Sequence, residues 1–226
     1  MKRRNNIIYT MVTLALLIAI IFVLDLTVGA VSFGGFTITL VGIPVAIASC
    51  VFGPGTGALM GFFWGLTSII KAATGMDAMG VELLSINVFG TIFTCFVPRM
   101  LVGLLAGLIY KGLRHFDKKG YVSALIASAS TALLNTVLFL GCVEMFFWNS
   151  DYINSFKDVF TDNAFYFIFL CAGWSGLIEV AMNCVVGSSC TFGIEKAARV
   201  LNVEPIFKNL FKKKKKEIEQ TEVKEN

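Results

Sequence analysis

The stretch VFGTIFTCFVPRMLVGLLAGLIYKGL, residues 88–113, decides how this chain folds. From Val88 to Tyr110 it is apolar apart from small and hydroxyl-bearing residues and a single cation, Arg99. A bilayer core about 30 Å thick is crossed by about 20 apolar helical residues, and this stretch supplies them. A guanidinium inside such a span costs about 2.5–3.5 kcal/mol on insertion scales, so it is expected to face a partner or a polar cavity rather than lipid. Arg99 is therefore the first candidate functional residue. Pro98, just before it, predicts a bent or broken helix.

The rest of the chain has the same character. Of 226 residues, 56% are hydrophobic and 15% charged, with 21 phenylalanines, and the mean hydropathy is +0.77. Soluble domains carry about 25% charged residues. The fold class expected is an all-α membrane protein, a bundle of six transmembrane helices, forming one membrane domain over residues 1–200 followed by a basic cytoplasmic tail, 201–226. The spans are drawn at Ile7–Leu26, Thr39–Phe52 (short and interrupted by Pro44), Thr56–Ile70, Val88–Leu113, Val122–Phe147 and Ala164–Cys190. The first run, Ile7–Leu24, follows Lys2, Arg3 and Arg4, as in a signal peptide. It exceeds the usual h-region and lacks a clean small-x-small cleavage site, so it reads as a retained first helix.

Lys and Arg set the orientation. With the N-terminus inside, Lys2, Arg3, Arg4, then Lys111, Arg114, Lys118 and Lys119, then the basic residues from Lys196 to Lys224 all fall on the cytoplasmic side. Lys71 and Lys157 fall outside, among the acids Asp77, Glu82, Asp151, Asp158 and Asp162. Both termini are thus expected in the cytoplasm. Gly53-Pro54-Gly55 predicts a tight inner turn. The outer segments, 27–38, 72–87 and 148–163, are longer, and read either as plain connectors or as a lid over an outward-facing site. The tail, with Ile206-Phe207 and Leu210-Phe211 beside Lys208 and Lys212–Lys216, reads either as solvated or as a short helix on anionic lipid.

Small residues recur every fourth position: Gly57, Gly61 and Gly65, then Gly103 and Gly107, then Ala15 and Ala19. Such spacing lets helix backbones approach closely. The glycines fit internal packing, whereas the Ala15/Ala19 face suits either a sister helix or another membrane subunit. Two readings of Arg99 compete. It pairs internally with Glu179 or Glu144, or it holds the carboxylate of a small ligand, for which its planar fork is suited. Asn87, Asn135, Thr136, Asn183, Ser128 and Thr131 also lie at membrane depth. Asn135 and Asn87 are the candidates for reading ligand polar groups, and Trp64 and Trp174 for an apolar wall with an indole donor.

The six cysteines lie in or beside apolar runs with no CxxC pair, and His115 is the single histidine. Neither structural zinc nor a disulfide framework is expected. GxxxxGK[ST], HExxH and GxSxG motifs are missing, so no catalytic residue, cofactor, metal or nucleic-acid partner is expected.

Read together, Ala15-Leu16-Leu17-Ile18-Ala19, Ile43-Pro44-Val45, Phe52-Gly53-Pro54-Gly55-Thr56-Gly57-Ala58, Phe96-Val97-Pro98-Arg99-Met100-Leu101-Val102-Gly103, Asn135-Thr136, and Glu179 with Asn183 resemble the substrate-binding S component of an energy-coupling-factor (ECF) vitamin transporter. The resemblance runs from Ile7 to about Ala198. It implies a six-helix subunit of the bacterial cell membrane that captures a micronutrient from outside, with a membrane T component and two ABC-type ATPases as partners. It also implies that Ala15 and Ala19 dock onto the T component, that outer loops close over the vitamin, and that the subunit topples to present it inward. Pro98-Arg99 with Asn135 is most similar to the pantothenate-type branch, whose ligand is a small carboxylate with hydroxyls and an amide. The alternatives are an S component for riboflavin or folate, or a stand-alone proton-coupled carrier using Glu179; a carrier often shows an internal repeat, and none is evident here.

Overall fold

In the computed structural model, residues 2–28, 31–33, 36–117, 120–150, 154 and 176–200 are described. Helix α1 (Lys2–Val23) passes into a π-helical turn, Leu24–Val28. Two short antiparallel strands follow, β1 (Val31–Phe33) and β2 (Phe36–Ile38), with Val31 opposite Ile38 and Phe33 opposite Phe36. Helices α2 (Gly42–Phe52), α3 (Pro54–Thr74), α4 (Ala78–Ile86), α5 (Val88–Leu113) and α6 (Tyr121–Phe147) come next. The last helix, α7 (Gly176–Ala198), contains a second π-helical turn, Asn183–Gly187.

The chain is a multi-pass helical membrane protein. Among the described residues, four helices are long and apolar enough to cross a bilayer: Arg4–Thr27, Val88–Leu113, Tyr121–Phe147 and Gly176–Ala198. The expected fourth span matches α5 residue for residue, and the first, second, third and fifth agree within a few residues, whereas the sixth runs to Ala198, eight residues beyond the expected Cys190. Two expectations are corrected. Pro44 does not interrupt α2; it lies in its first turn, where a missing N–H would be unpaired anyway. Pro98 does not end α5, which continues as one α-helix through it. Two of the segments expected to lie outside are more ordered than connectors, since 72–87 contains α4 and 27–38 contains the strand pair. The expected start of the sixth span, Trp174, most of the 148–163 segment and the basic tail lie outside the described residues.

Helix α2 is the axis of the bundle. Ten of its residues are buried, all but Ile43. Leu17 and Ile21 of α1 pack on Val45, Ile47, Val51 and Phe52 of α2 and on Met60 and Trp64 of α3. Gly53 alone separates α2 from α3, with φ +106°, a conformation that glycine adopts without a Cβ penalty.

Helices α3 and α5 meet backbone to backbone along their glycines. A Cβ on Gly57 would lie 2.3 Å from the Gly103 carbonyl oxygen, one on Gly61 2.1 Å from that of Arg99, and one on Gly65 2.8 Å from that of Cys95. The reverse holds for Gly103 against Gly57 at 2.0 Å, and for Gly107 against Pro54 Cα at 2.5 Å. Lipid tails offer no hydrophobic drive for helix association, so close van der Waals approach of this kind holds the pair. The internal-packing reading of the glycines is what the structure displays.

Candidate functional site

The α3–α5 contact fixes where Arg99 sits. With Gly61 against the Arg99 carbonyl, Trp64 comes three residues further along α3, on the same helix face. The guanidinium carbon lies 5.2 Å from the Trp64 ring centroid and 5.2 Å from that of Phe139 on α6. Such cation–π contacts contribute about 0.5–2 kcal/mol each, more when desolvated. Arg99 Nη1 donates to the carbonyl of Cys95 at 2.9 Å and to that of Thr94 at 3.4 Å. Pro98 has no N–H to give Thr94, so the side chain serves an acceptor that the helix leaves unserved.

Beside the guanidinium is a small cavity of about 20 Å³. It is lined by Thr91, Thr94, Cys95 and Arg99 of α5, Ser68 of α3, Phe139 of α6, and Asp77, Met79, Gly80 and Leu83 at the start of α4. That volume holds about one water. Arg99 Nε and Thr94 Oγ1 are buried with no hydrogen-bond partner. Buried polar groups are almost always paired, so each orphan asks for an explanation. One turn along α6 from Phe139, on the same face, Asn135 likewise leaves its Oδ1 buried and unpartnered.

The structure therefore brings together Arg99 and Trp64, with Asn135 on the helix face that supplies Phe139. Asn87 stands apart. It is exposed and N-caps α5, its Oδ1 accepting from the Gly90 N–H at 3.0 Å, which leaves its amide donors free at the mouth of the helix. Ala15 and Ala19 lie on the exposed side of α1, between Met11, Val12, Leu16 and Val23, which are 53–67% exposed. Among the described residues Arg99 pairs with neither acid considered for it. Glu179 is buried and accepts from Thr39 Oγ1 at 2.8 Å, while Asn183 Nδ2 donates to the Glu179 backbone carbonyl at 2.9 Å. Glu144 Oε1 is buried without a partner.

Three polar arrangements escape a sequence reading. Asp25, its side chain fully buried, pairs with Lys71 at 2.5 Å and accepts from Thr67 Oγ1, tying the π-helical end of α1 to α3. Tyr110 donates to Glu195 at 2.8 Å, with Arg114 3.8 Å from the same carboxylate, tying the Leu113 end of α5 to α7. Asp77 reaches the Arg99 cavity from what reads as a plain outer loop. In each case the only sequence signal is a charge at the edge of an apolar run; the partner is far along the chain.

A bundle of this kind, with a cation inside an apolar helix lining a cavity beside orphaned polar atoms, suits a membrane protein that holds a small polar ligand. The family model described as "ECF transporter, substrate-specific component" matches residues 9–187, and the chain belongs to that family. It is similar to the pantothenic acid transporter PanT of Lactococcus lactis subsp. cremoris (strain MG1363), 33% identical over 156 residues, 62% of this chain and 77% of that protein. It is also similar to the pantothenate transporter PanT of Leuconostoc mesenteroides subsp. mesenteroides, 32% identical over 111 residues, 45% of this chain and 52% of that one, so the match spans about half of the latter's length.

Proposed function

We propose that this chain is the high-affinity substrate-binding subunit of an ATP-driven ECF importer in the bacterial plasma membrane, and that it binds a carboxylate vitamin, pantothenate. The names of its relatives support the vitamin. The observation that carries the reading is Arg99: a guanidinium within a span, lining a cavity, with Nε unsatisfied and no acid at ion-pair distance among the described residues. Arg99 neutralises the ligand carboxylate, Trp64 walls the site, and Asn135 meets a hydroxyl or amide with its orphaned Oδ1 and its amide donors. Asn87 adds donors at the outer rim. Capture is non-covalent and needs no cofactor.

In this reading α1, α2, α3, α5, α6 and α7 are the six spans of a membrane domain over residues 1–200, with both termini and the basic tail 201–226 in the cytoplasm, as the distribution of Lys and Arg favours. The strand pair and α4 then face outside, on the side from which the vitamin arrives. Energy comes from partners, a membrane T component and two ABC-type ATPases, and the Ala15/Ala19 face of α1 meets the T component.

The test is thermal stabilisation of the purified chain against a vitamin panel, because a ligand that binds only the folded state raises its stability. Pantothenate is expected to raise the Tm, and Arg99→Ala to remove the effect. A shift with riboflavin or folate in its place overturns the substrate.

A further inference from the structure

The cavity beside Arg99 holds about 20 Å³, whereas ligand pockets run to about 300–1,000 Å³. Something must therefore move for a vitamin to enter, and the lining names it. Thr91, Thr94, Cys95 and Arg99 belong to α5, pinned against α3 through Gly61 and Gly65. Ser68 belongs to α3 and Phe139 to α6, and the rest of the described wall is Asp77, Met79, Gly80 and Leu83 of α4, a nine-residue helix whose Leu83 packs on Val143 and Phe147 of α6.

Asp77 is the N-cap residue of α4, yet its side chain makes no capping hydrogen bond. An N-cap aspartate ordinarily accepts from the second or third helical N–H, worth about 1 kcal/mol. Here Asp77 lines the cavity that Arg99 lines, with Oδ2 beside Gly80, and does not close on Arg99 to ion-pair distance. The other cation at this end of α3, Lys71, is already held by Asp25 at 2.5 Å. Among the described residues, Arg99 is the cation left for Asp77 to face.

We infer that Asp77 is the internal counter-ion of Arg99: it holds α4 over the cavity until a ligand carboxylate takes its place, and thereby sets the affinity of the site and its preference for anions. The inference rests on the proposed role of Arg99. Two carboxylates beside one guanidinium repel each other, so the ligand and Asp77 compete. An apparent dissociation constant is the intrinsic one divided by the fraction of protein in the competent state. Removing the competing charge raises that fraction.

The experiment is a double-mutant cycle on the purified chain, reading the Kd for pantothenate and for pantothenol, in which a hydroxymethyl group replaces the carboxylate. Asp77→Asn is expected to tighten pantothenate binding about tenfold, to tighten pantothenol less, and to have no such effect in an Arg99→Gln background. Should Asp77→Asn not fold, Asp77→Ser keeps a capping oxygen without the charge and enters the same cycle. Unchanged or weaker pantothenate binding by the folded variant overturns the inference, as does an equal gain in the Arg99→Gln background. If Arg99→Gln alone leaves pantothenate affinity unchanged, the proposed role of Arg99 fails instead; if it weakens binding while Asp77→Asn brings no gain, only the counter-ion inference fails.

Discussion

Arg99 donates through Nη1 to the carbonyl of Thr94, the acceptor that Pro98 deprives of its usual backbone donor. A proline inside a helix costs about 3 kcal/mol or more through the lost bond and the clash with the preceding turn. A guanidinium in a span has its own cost unless its donors are used. Placed side by side the two defects offset each other, and α5 continues unbroken. Nε is left buried without a partner in a side chain that lines the cavity.

Replacing Arg99 removes the one cation of the site. Arg99→Ala is expected to weaken pantothenate binding by about 2–5 kcal/mol, on the order of 30-fold to several thousand-fold, the range for truncating one partner of a buried charge pair. Titration calorimetry on the purified chain checks this; an unchanged Kd with a lowered Tm assigns Arg99 a purely structural role.

Lys71 should behave in the opposite way. Its ammonium pairs with a carboxylate that has no solvent exposure, and breaking a buried pair destabilises by about 3–5 kcal/mol. Lys71→Ala is expected to lower the Tm by several degrees while the folded protein keeps a near-native Kd. A specific loss of affinity at unchanged Tm would place Lys71 in the binding site.

Gly61 sets the spacing that delivers Arg99 to Trp64. A Cβ there would meet the Arg99 carbonyl oxygen at 2.1 Å, whereas nothing lies within 4 Å of one built on Gly112. Gly61→Ala is expected to cost about 1–3 kcal/mol through overpacking and to weaken ligand binding as the guanidinium shifts. Gly112→Ala should be neutral or slightly stabilising. Thermal melts of the two variants side by side are decisive, and equal Tm values contradict the backbone zipper.

How much of this was legible beforehand depends on sequence separation. The 88–113 stretch announced α5 because periodicity and length are local signals, and the glycine spacings announced close internal packing, though not that α3 and α5 are the pair, because small residues four apart let backbones approach. Pro44 and Pro98 misled, since a proline's effect depends on where in the helix turn it falls and on whether a neighbour serves the stranded carbonyl. Helix α4 was missed because nine residues near a Gly and an Asp carry too little pattern. The partners of Asp25 and Glu195, and the cavity that Asp77 reaches, were illegible for a different reason: each involves residues tens of positions away, and one sequence does not say which distant helix comes to rest beside a charge.

Ala15 and Ala19 offer a test that separates folding from assembly. Both face away from the bundle, so Ala15→Trp or Ala19→Trp is expected to leave the Kd and Tm of the isolated chain unchanged. Vitamin uptake in cells carrying the full importer should fall at least tenfold, because a bulky ring prevents close helix approach. Loss of binding by the isolated variants would return this face to the interior.

The position of Arg99 within Val88–Leu113 also has an electrical side. A unit charge crossing the whole membrane field exchanges about 2.3 kcal/mol per 100 mV. With Asp77 as its counter-ion the empty site is neutral, whereas the loaded site adds the ligand carboxylate and carries one net negative charge. Membrane voltage would then press on movement of the loaded subunit and leave the empty one nearly untouched, so the cell's resting potential would act on the delivery of cargo rather than on the return stroke.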